Sequence, residues 1–554
     1  MTTVVTRRCQ PCRSRAGSVL NSFQRQNVML EKEARLSYRS PMNPRPLRAG
    51  MVPVCVSLLV LVGSLLMSCG GGDTTPPSSP SVTPTPLSSA DVKQVVQAAA
   101  QSADAPLVIA VADRAGKILA LFRNATAPLT STGNFGATVD SNELAVALAR
   151  TAALFSNNQA PLSSRTVRFI SGIHFPPGVS DAPNADLYGI ENTNRGCPLH
   201  ATFLAGQSVD PARSIDGLSP GLGVITGKAD ASDSDPAAVN PGGVPLFKNG
   251  AAVGGVGVVS TSAAVAEYAA FSGASQAGLL PTAAQLPPPG VVIIGGISLP
   301  FVNQTTAPSG VGPGSAAGTF VVGPLAGGLP PEGDLVGPVG GASGLTQSDV
   351  AAIINHAVAT AELTRAVIRL PAGSRSRMTI AVADLDGTVL ALHRMPDGTV
   401  FSIDVAVAKA RNVIYFSNPA GNSDLPGVPA GTAVTNRTIG FGAQPLFTPG
   451  IDGSGPGPFF NLFLFDLAHP CTQGSQAANA NQNGVVFFPG SLPLYKNGVL
   501  VGGLGVSGDG VDQDDFVTHA GAQGFEAPDA MRADQIEVDG VRLPYQKFPR
   551  NPTD

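Results

Sequence analysis

The chain has 554 residues, of which 43% are hydrophobic and 13% are charged, a composition typical of folded proteins. Its length exceeds what one hydrophobic core usually organises, so a single-domain protein is not expected. A formal net charge of -4 gives no overall attraction to nucleic acid, and we expect no nucleic-acid partner.

The N-terminal part is predicted to be a targeting segment. Residues 52–67 are almost entirely apolar, follow two arginines, and are too few for a typical transmembrane helix. The tetrapeptide Leu-Met-Ser-Cys that ends at Cys69 resembles a bacterial lipobox, whose cysteine is lipidated after cleavage. We therefore predict that residues 1–69 are an upstream segment and lipoprotein signal peptide, and that Cys69 anchors the protein in the membrane of a bacterial cell envelope. An ordinary secretory peptide with an incidental cysteine is the alternative.

The rest of the chain is predicted to contain two copies of one domain, because three motifs recur in the same order. They are Ile-Ala-Val-Ala-Asp at 109–113 and 380–384, Phe-Ser-Asn at 155–157 and 416–418, and Lys-Asn-Gly at 248–250 and 496–498. We place the copies at 87–301 and 345–548. A Gly/Pro-rich linker at 302–344 joins them, and residues 70–86 are a flexible tether to the lipid.

Each copy is predicted to alternate helices with hairpins. In the second copy, Thr346 and Asp349 form a capping-box pattern before the first helix. The elements that follow are a hairpin turning at Asp386-Gly387, a helix over 405–416, a hairpin with a type I′ turn at Asn497-Gly498, and a helix over about 513–522. This order indicates an α+β fold in which helices flank an antiparallel sheet.

Several motifs of the second copy carry a family resemblance. They are Ile-Ala-Val-Ala-Asp at 380–384, Leu-His-Arg-Met at 392–395, Ala-Lys-Ala at 408–410 and Val-Gly-Gly-Leu-Gly-Val-Ser-Gly at 501–508. With these motifs the copy resembles the GlcG/HbpS-like family of haem-binding or haem-degrading proteins. The resemblance implies two tandem profilin-like domains, a tendency to form homo-oligomers, and haem or a related tetrapyrrole as ligand. The first copy is diverged, with Leu148 in place of Lys409 and Ser260 in place of Gly508.

Two histidines of the second copy are candidate ligands of a haem iron, which most often binds an imidazole in an apolar pocket. His356 lies at the margin of the apolar face of the first helix, and His393 lies beside Arg394 at the end of a strand. Arg394 and Lys409 are candidate partners of the haem propionates. The alternatives stay open, since a lone histidine is more often structural and surface solvation explains Lys409 equally well.

Gly503, Gly505 and Gly508 spell the G-x-G-x-x-G pattern of dinucleotide-binding proteins. That pattern works at the end of the first strand of a parallel unit, whereas these glycines lie in an antiparallel hairpin. We predict instead that they allow close packing of the strand against a helix. The sequence has no P-loop or HExxH motif, so a binding protein is expected more than a catalyst.

Cys197 and Cys471 lie in corresponding inserted regions of the two copies, each beside a proline. Export permits disulfides, and equivalent residues can meet near the axis of an intramolecular pseudo-dimer. A disulfide between them is therefore a candidate, with two separate buried thiols as the alternative.

Two functions are left open by the sequence. The first is an exported, lipid-anchored protein that binds haem or a related tetrapyrrole for uptake, sensing or slow degradation. The second is a non-enzymatic interaction or assembly module of the cell envelope that has lost the ligand pocket, which the diverged first copy favours.

Overall fold

The structure is a computed structural model. It describes residues 84–171, 187–200, 203–205, 207, 212–229, 238–282, 285, 291–294, 297–420, 423–448 and 454–553. The predicted signal peptide, Cys69 and most of the predicted tether lie outside these residues. Within the described ranges, no helix is long and apolar enough to cross a membrane.

The first copy is built on a five-stranded antiparallel sheet. Its helices are α1 (Ser89–Ser102), α2 (Ser141–Phe155), α3 (Ser164–Ser171) and α4 (Ala263–Gln276). Its strands are β1 (Val108–Asp113), β2 (Ile118–Arg123), β3 (Thr130–Thr132), β4 (Thr138–Asp140), β5 (Gly243–Lys248), β6 (Ala251–Val259), β7 (Val291–Ile294), β8 (Ile297–Pro300) and β9 (Thr319–Val322). The order in the sheet is β5-β6-β1-β2-β9, while β3 pairs with β4 and β7 with β8.

The second copy repeats this architecture. Its helices are α5 (Gln347–Leu363), α6 (Phe401–Phe416), α7 (Asn436–Gly442), α8 (Phe460–Ala468) and α9 (Val511–Gly521). Its strands are β10 (Gly333–Val336), β11 (Thr379–Ala383), β12 (Val389–Arg394), β13 (Ser491–Lys496), β14 (Val499–Ser507), β15 (Glu537–Val538) and β16 (Val541–Arg542). The order β10-β12-β11-β14-β13 is again antiparallel, which confirms the predicted α+β fold.

The common strand order allows residues of the two copies to be matched. Ile109 of β1 lies opposite Phe122 of β2, and its counterpart Ile380 of β11 lies opposite His393 of β12. Phe122 is therefore the counterpart of His393.

The segment 302–344 is more than the linker that its composition predicted. It contains β9, which adds an edge strand to the first sheet, and β10, which adds the equivalent edge strand to the second. Each of these strands ends in a Val-Gly-Pro sequence, at 322–324 and 336–338. The high Gly and Pro content concealed two short strands that pair with β2 and β12.

The glycines of the last hairpin let each sheet lie directly on a helix. A Cβ atom at Gly503 or Gly505 would lie 2.1 Å from a carbonyl oxygen of α6. In the first copy, the matching Gly255 and Gly257 approach carbonyl oxygens of α2 in the same way, at 2.3 and 2.0 Å. The predicted packing against a helix is confirmed for Gly503 and Gly505, whereas Gly508 packs against Arg377 and Met378, outside any helix.

The Lys-Asn-Gly hairpins connect each sheet to the start of the first helix of its copy. Asn497 and Gly498 have φ values of 51° and 76°, as the predicted type I′ turn requires. Lys496 Nζ then lies 2.6 Å from the capping-box carboxylate of Asp349. In the first copy, Lys248 and Asp91 form the same ion pair at 2.7 Å.

The two copies pack against each other as parts of one compact unit. The ring of Phe155, at the end of α2, stacks on that of Phe401, at the start of α6, with centroids 4.0 Å apart. Beside this stack, the backbone N–H of Val400 donates to the carbonyl oxygen of Leu154 at 3.0 Å. One hydrophobic core continues from the first copy into the second.

Candidate functional site

His393 lies next to the edge strand of the second sheet and forms a pair with an aspartate. Its Nδ1 atom is 2.7 Å from Oδ1 of Asp334, which lies directly opposite it on β10. The imidazole is 20% exposed and the Asp334 side chain 47% exposed. A carboxylate on one ring nitrogen orients a histidine and raises the basicity of the other nitrogen, an arrangement common among metal-binding histidines. No described residue forms a hydrogen bond with Nε2 of His393.

Asp334 was missed at the sequence level because it lies in the segment that was predicted to be a linker. The signal that could have revealed it is the repeated Val-Gly-Pro sequence after β9 and β10. If β10 is recognised as an edge strand that pairs with β12, Asp334 falls opposite a residue of β12.

Arg394 follows His393 on β12, but its side chain is buried and occupied. Its Nε donates to the carbonyl oxygen of Gly398 at 3.0 Å, and its Nη1 donates to that of Pro331 at 3.0 Å and lies 3.5 Å from Glu332. Burial lowers the pKa of Arg394 to about 10. The guanidinium of Arg394 therefore binds other groups of the protein and does not face a ligand at the surface.

Lys409 is also buried, in a different part of the second copy. Its Nζ lies 3.0 Å from Oδ2 of Asp514, donates to the carbonyl oxygen of Val506 at 2.8 Å, and lies 4.9 Å from the ring centroid of Phe488. Burial lowers the pKa of Lys409 and raises that of Asp514 to about 7. The ion pair is thus enclosed by protein.

His356 lies on the exposed side of α5, between the buried side chains of Ile353 and Ala357 in the sequence. No contact joins it to the other predicted site residues. Arg394 is adjacent to His393 in the sequence, but successive side chains of a strand point to opposite faces. The four residues predicted to form one haem site therefore lie in separate environments.

A cluster of largely buried charges joins the two copies, and no sequence motif predicts it. Arg369 Nη1 is 2.7 Å from Asp397 Oδ2, and its Nε donates to Asp509. Arg114 of the first copy lies 3.5 Å from the same Asp397, whose carboxylate also accepts from the backbone N–H of Asn158. Burial acts to raise the pKa of Asp397, but the two arginines outweigh it and lower the pKa. Loop residues far apart in sequence form this cluster, so no local pattern marks it.

The structure joins Cys197 to Cys471 by a disulfide, with the two Cα atoms 5.3 Å apart. That separation lies within the range that disulfides require. Beside it, Asn194 of the first copy donates its backbone N–H to Asp404 of the second at 2.7 Å. The inserted regions of the two copies are thus covalently linked.

The described residues meet one requirement of a haem site, an axial ligand for the iron, but not another, cationic partners for the propionates. His393 supplies an imidazole oriented by Asp334, which is what an axial iron ligand requires. Arg394 and Lys409 do not supply the propionate partners, because protein groups occupy both. Among the described residues, no group of three or more His, Cys, Asp or Glu side chains is arranged to hold a metal ion. Any iron site here would therefore depend on a single imidazole.

Comparison with known proteins identifies the family of the second copy. Residues 345–523 match the family model described as haem degrading protein HbpS-like. The predicted resemblance to this family is confirmed for that part of the chain. No curated protein matches the chain.

Part of this chain is similar to several solved structures, three of which follow. The complex of PduOC with haem is 20% identical, covers 33% of this chain and 94% of its own, and has a TM-score of 0.21. Protein ORFY of Klebsiella pneumoniae is 19% identical, with coverages of 32% and 86% and a TM-score of 0.20. A double mutant of HbpS from Streptomyces reticuli is 18% identical, with coverages of 35% and 97% and a TM-score of 0.21.

Proposed function

We propose that the chain binds haem or a related tetrapyrrole through its second copy, with His393 as the ligand of the iron. The observation that carries the proposal is the pair formed by His393 and Asp334 at the sheet edge, with Nε2 left without a hydrogen bond from any described residue. The HbpS-like family match of residues 345–523 supports haem as the ligand class.

Within this proposal, Asp334 holds a proton on Nδ1 and fixes the ring, so that Nε2 is available to an iron. A bound haem would supply redox and oxygen chemistry. The chain's own contribution is to bind and orient the ligand, and we assign it no catalytic step. Since Arg394 and Lys409 are occupied, the propionates would face solvent or groups outside the described residues.

We also propose that the protein is exported and held at a membrane of the bacterial cell envelope by lipid on Cys69. The support is the order of basic, apolar and lipobox residues before Cys69. Anchoring would keep the ligand-binding domains at the membrane, where a tetrapyrrole could be taken up, sensed or slowly degraded. Mass spectrometry of the membrane-extracted protein tests the anchor, with an acylated N-terminal cysteine as the expected result.

Haemin titration of the mature protein, followed at the Soret band, tests the haem proposal. We expect saturable binding by the wild type and its loss in His393→Ala, because the iron loses its imidazole. Asp334→Asn should weaken binding about 10-fold or more, as loss of groups that orient a ligand usually does. His469→Ala is the matched control, since the ring of this exposed histidine of the second copy contacts Phe465 of its own helix, through the carbonyl oxygen and the stacked ring.

The outcome with His356→Ala separates the two histidines that the sequence could not rank. Unchanged binding in this variant is expected, whereas loss of binding in it alone would move the site to α5. No Soret change in the wild type would contradict haem binding and favour the non-enzymatic assembly module.

A further inference from the structure

A cavity lies at the junction of the two copies, and neither His393 nor Asp334 lines it. The first copy contributes Phe155, Leu162 and Leu187 to its wall, and the second contributes Phe401 and Val367 among others. Neither copy alone encloses it. Its lining is therefore mainly apolar and is complete only when the copies pack together.

The cavity opens to solvent. It measures about 560 Å³ when the open mouth is included, within the roughly 300–1,000 Å³ that is usual for small-molecule sites. Half-buried apolar side chains, Leu187, Val367 and Ile368, are available to contact a larger apolar body.

Asp514 is one of the few polar residues of this apolar lining, and it carries an unsatisfied buried atom. Its side chain is 3% exposed, and its Oδ2 is bound by Lys409 at 3.0 Å. Its Oδ1 atom is buried without a hydrogen-bond partner among the described residues. A buried acceptor without a donor is costly, so this oxygen is a specific place for a donor group.

The positive charge of Lys409 beside Asp514 determines whether a charged or a neutral donor is favoured at this oxygen. Lys409 already balances Asp514, and its remaining contacts are the carbonyl oxygen of Val506 and the ring of Phe488. A cationic ligand would add a second positive charge beside Lys409 in an apolar site, which is strongly disfavoured. A neutral hydroxyl group satisfies the oxygen without adding charge.

We propose that this cavity binds a neutral, apolar molecule carrying one hydroxyl group, which donates its hydrogen bond to Oδ1 of Asp514. The apolar body lies along the mouth, against Val367, Ile368 and Leu187. The site is independent of haem binding at His393. It also gives the diverged first copy a role, since that copy supplies one wall of the cavity.

Calorimetric titration of the mature protein with phenol, and with anisole as the matched probe, tests the proposal. Anisole has the same ring but cannot donate a hydrogen bond. We expect saturable binding of phenol and at least about 5-fold weaker binding of anisole, because anisole leaves the buried oxygen unpaired. Equal affinities, or no saturation by phenol, would overturn the proposal.

Two variants locate the binding. Val367→Phe fills the mouth and leaves the ion pair intact, so phenol binding should fall at least 10-fold while Val499→Phe, at a side chain that is 64% exposed, should change nothing. The double variant Lys409→Leu/Asp514→Ala should lose the preference for phenol over anisole. Unchanged phenol affinity in Val367→Phe, or a preference retained in the double variant, would contradict the proposal.

Discussion

The first copy has two aromatic rings where the second copy has a histidine and an aspartate. Phe122 and Phe320 lie opposite each other on β2 and β9, with ring centroids 5.2 Å apart. The matching residues of β12 and β10 are His393 and Asp334. Both members of the pair differ between the copies, so the first copy has an apolar contact where the second has an oriented imidazole.

A second position shows the same kind of difference. Gly273 of α4 and Gly521 of α9 pack against matching residues of α1 and α5, so the two glycines correspond. Ala266 and Asp514 precede these glycines by the same number of residues and are therefore counterparts. Leu148 is the counterpart of Lys409. The first copy thus has an apolar pair where the second has a buried ion pair. A protein interior can hold either a buried ion pair or an apolar pair, whereas a single buried charge without its partner strongly destabilises the fold.

Other features are common to both copies and belong to the scaffold. Arg165 of α3 binds Glu267 at 2.7 Å, and its counterpart Arg437 of α7 binds Asp515 at 2.6 Å. The hairpin lysines and the helix-packing glycines also correspond. The comparison separates the residues that hold the fold from two pairs that are specific to the second copy, and it is on those pairs that we base function.

The largest effect is expected from breaking the second-copy ion pair on one side only. Asp514→Ala leaves Lys409 buried without its counter-charge and should lower the free energy of unfolding by about 3–5 kcal/mol. Lys409→Leu/Asp514→Ala recreates the pair of the first copy and should cost clearly less than the single change. Urea denaturation measures both, and a double variant as unstable as Asp514→Ala would show that the pairs are not equivalent.

An intermediate effect is expected at the shared scaffold. Arg165→Ala and Arg437→Ala each leave a buried carboxylate without its partner, and each should lower the free energy of unfolding by about 3 kcal/mol. Thermal unfolding of the two variants side by side checks this. A large loss in one copy with almost none in the other would mean that these arginines do not have the same role.

The smallest effect is expected at the two hairpin lysines, because their ion pairs are partly exposed. Lys248→Met and Lys496→Met should each lower the free energy of unfolding by about 0.5 kcal/mol. The hydrogen bond from Lys496, together with Thr346, lowers the pKa of Asp349 to about 2.

The pH dependence of this pair has a defined sign. Asp349 is more acidic in the folded than in the unfolded chain, so its stabilising effect is present above pH 4 and is lost as the pH falls towards 2. Between pH 5 and pH 2 the wild type should therefore lose more stability than Lys496→Met. Equal losses, measured by urea denaturation across this range, would contradict the assigned ion pair.

Local patterns in the sequence were sufficient to predict much of the fold. The capping box at Thr346, the Asn497-Gly498 turn and the glycines of β14 each depend on neighbouring residues, and the structure places them as predicted. The edge strands β9 and β10 were missed because short strands in a Gly/Pro-rich segment are stabilised by pairing with distant strands and not by their own composition.

The candidate site was harder to predict for the same physical reason. His393 was identified from its residue type, but its partner Asp334 depends on strand register across the sheet. Arg394 and Lys409 were identified as cations, yet their burial and their partners follow from tertiary packing, which removes them from a surface ligand site. Residue type indicates what chemistry is available, whereas packing decides which groups remain free.

The most direct test of the difference between the copies is the haem stoichiometry of a variant whose second copy carries the first copy's aromatic pair. We predict that the wild type binds one haemin per chain at saturation and that Asp334→Phe/His393→Phe binds none, with its fold retained as judged by far-UV circular dichroism. Two haemins bound per wild-type chain, or one haemin still bound by the folded double variant, would contradict the assignment of haem binding to this pair in the second copy.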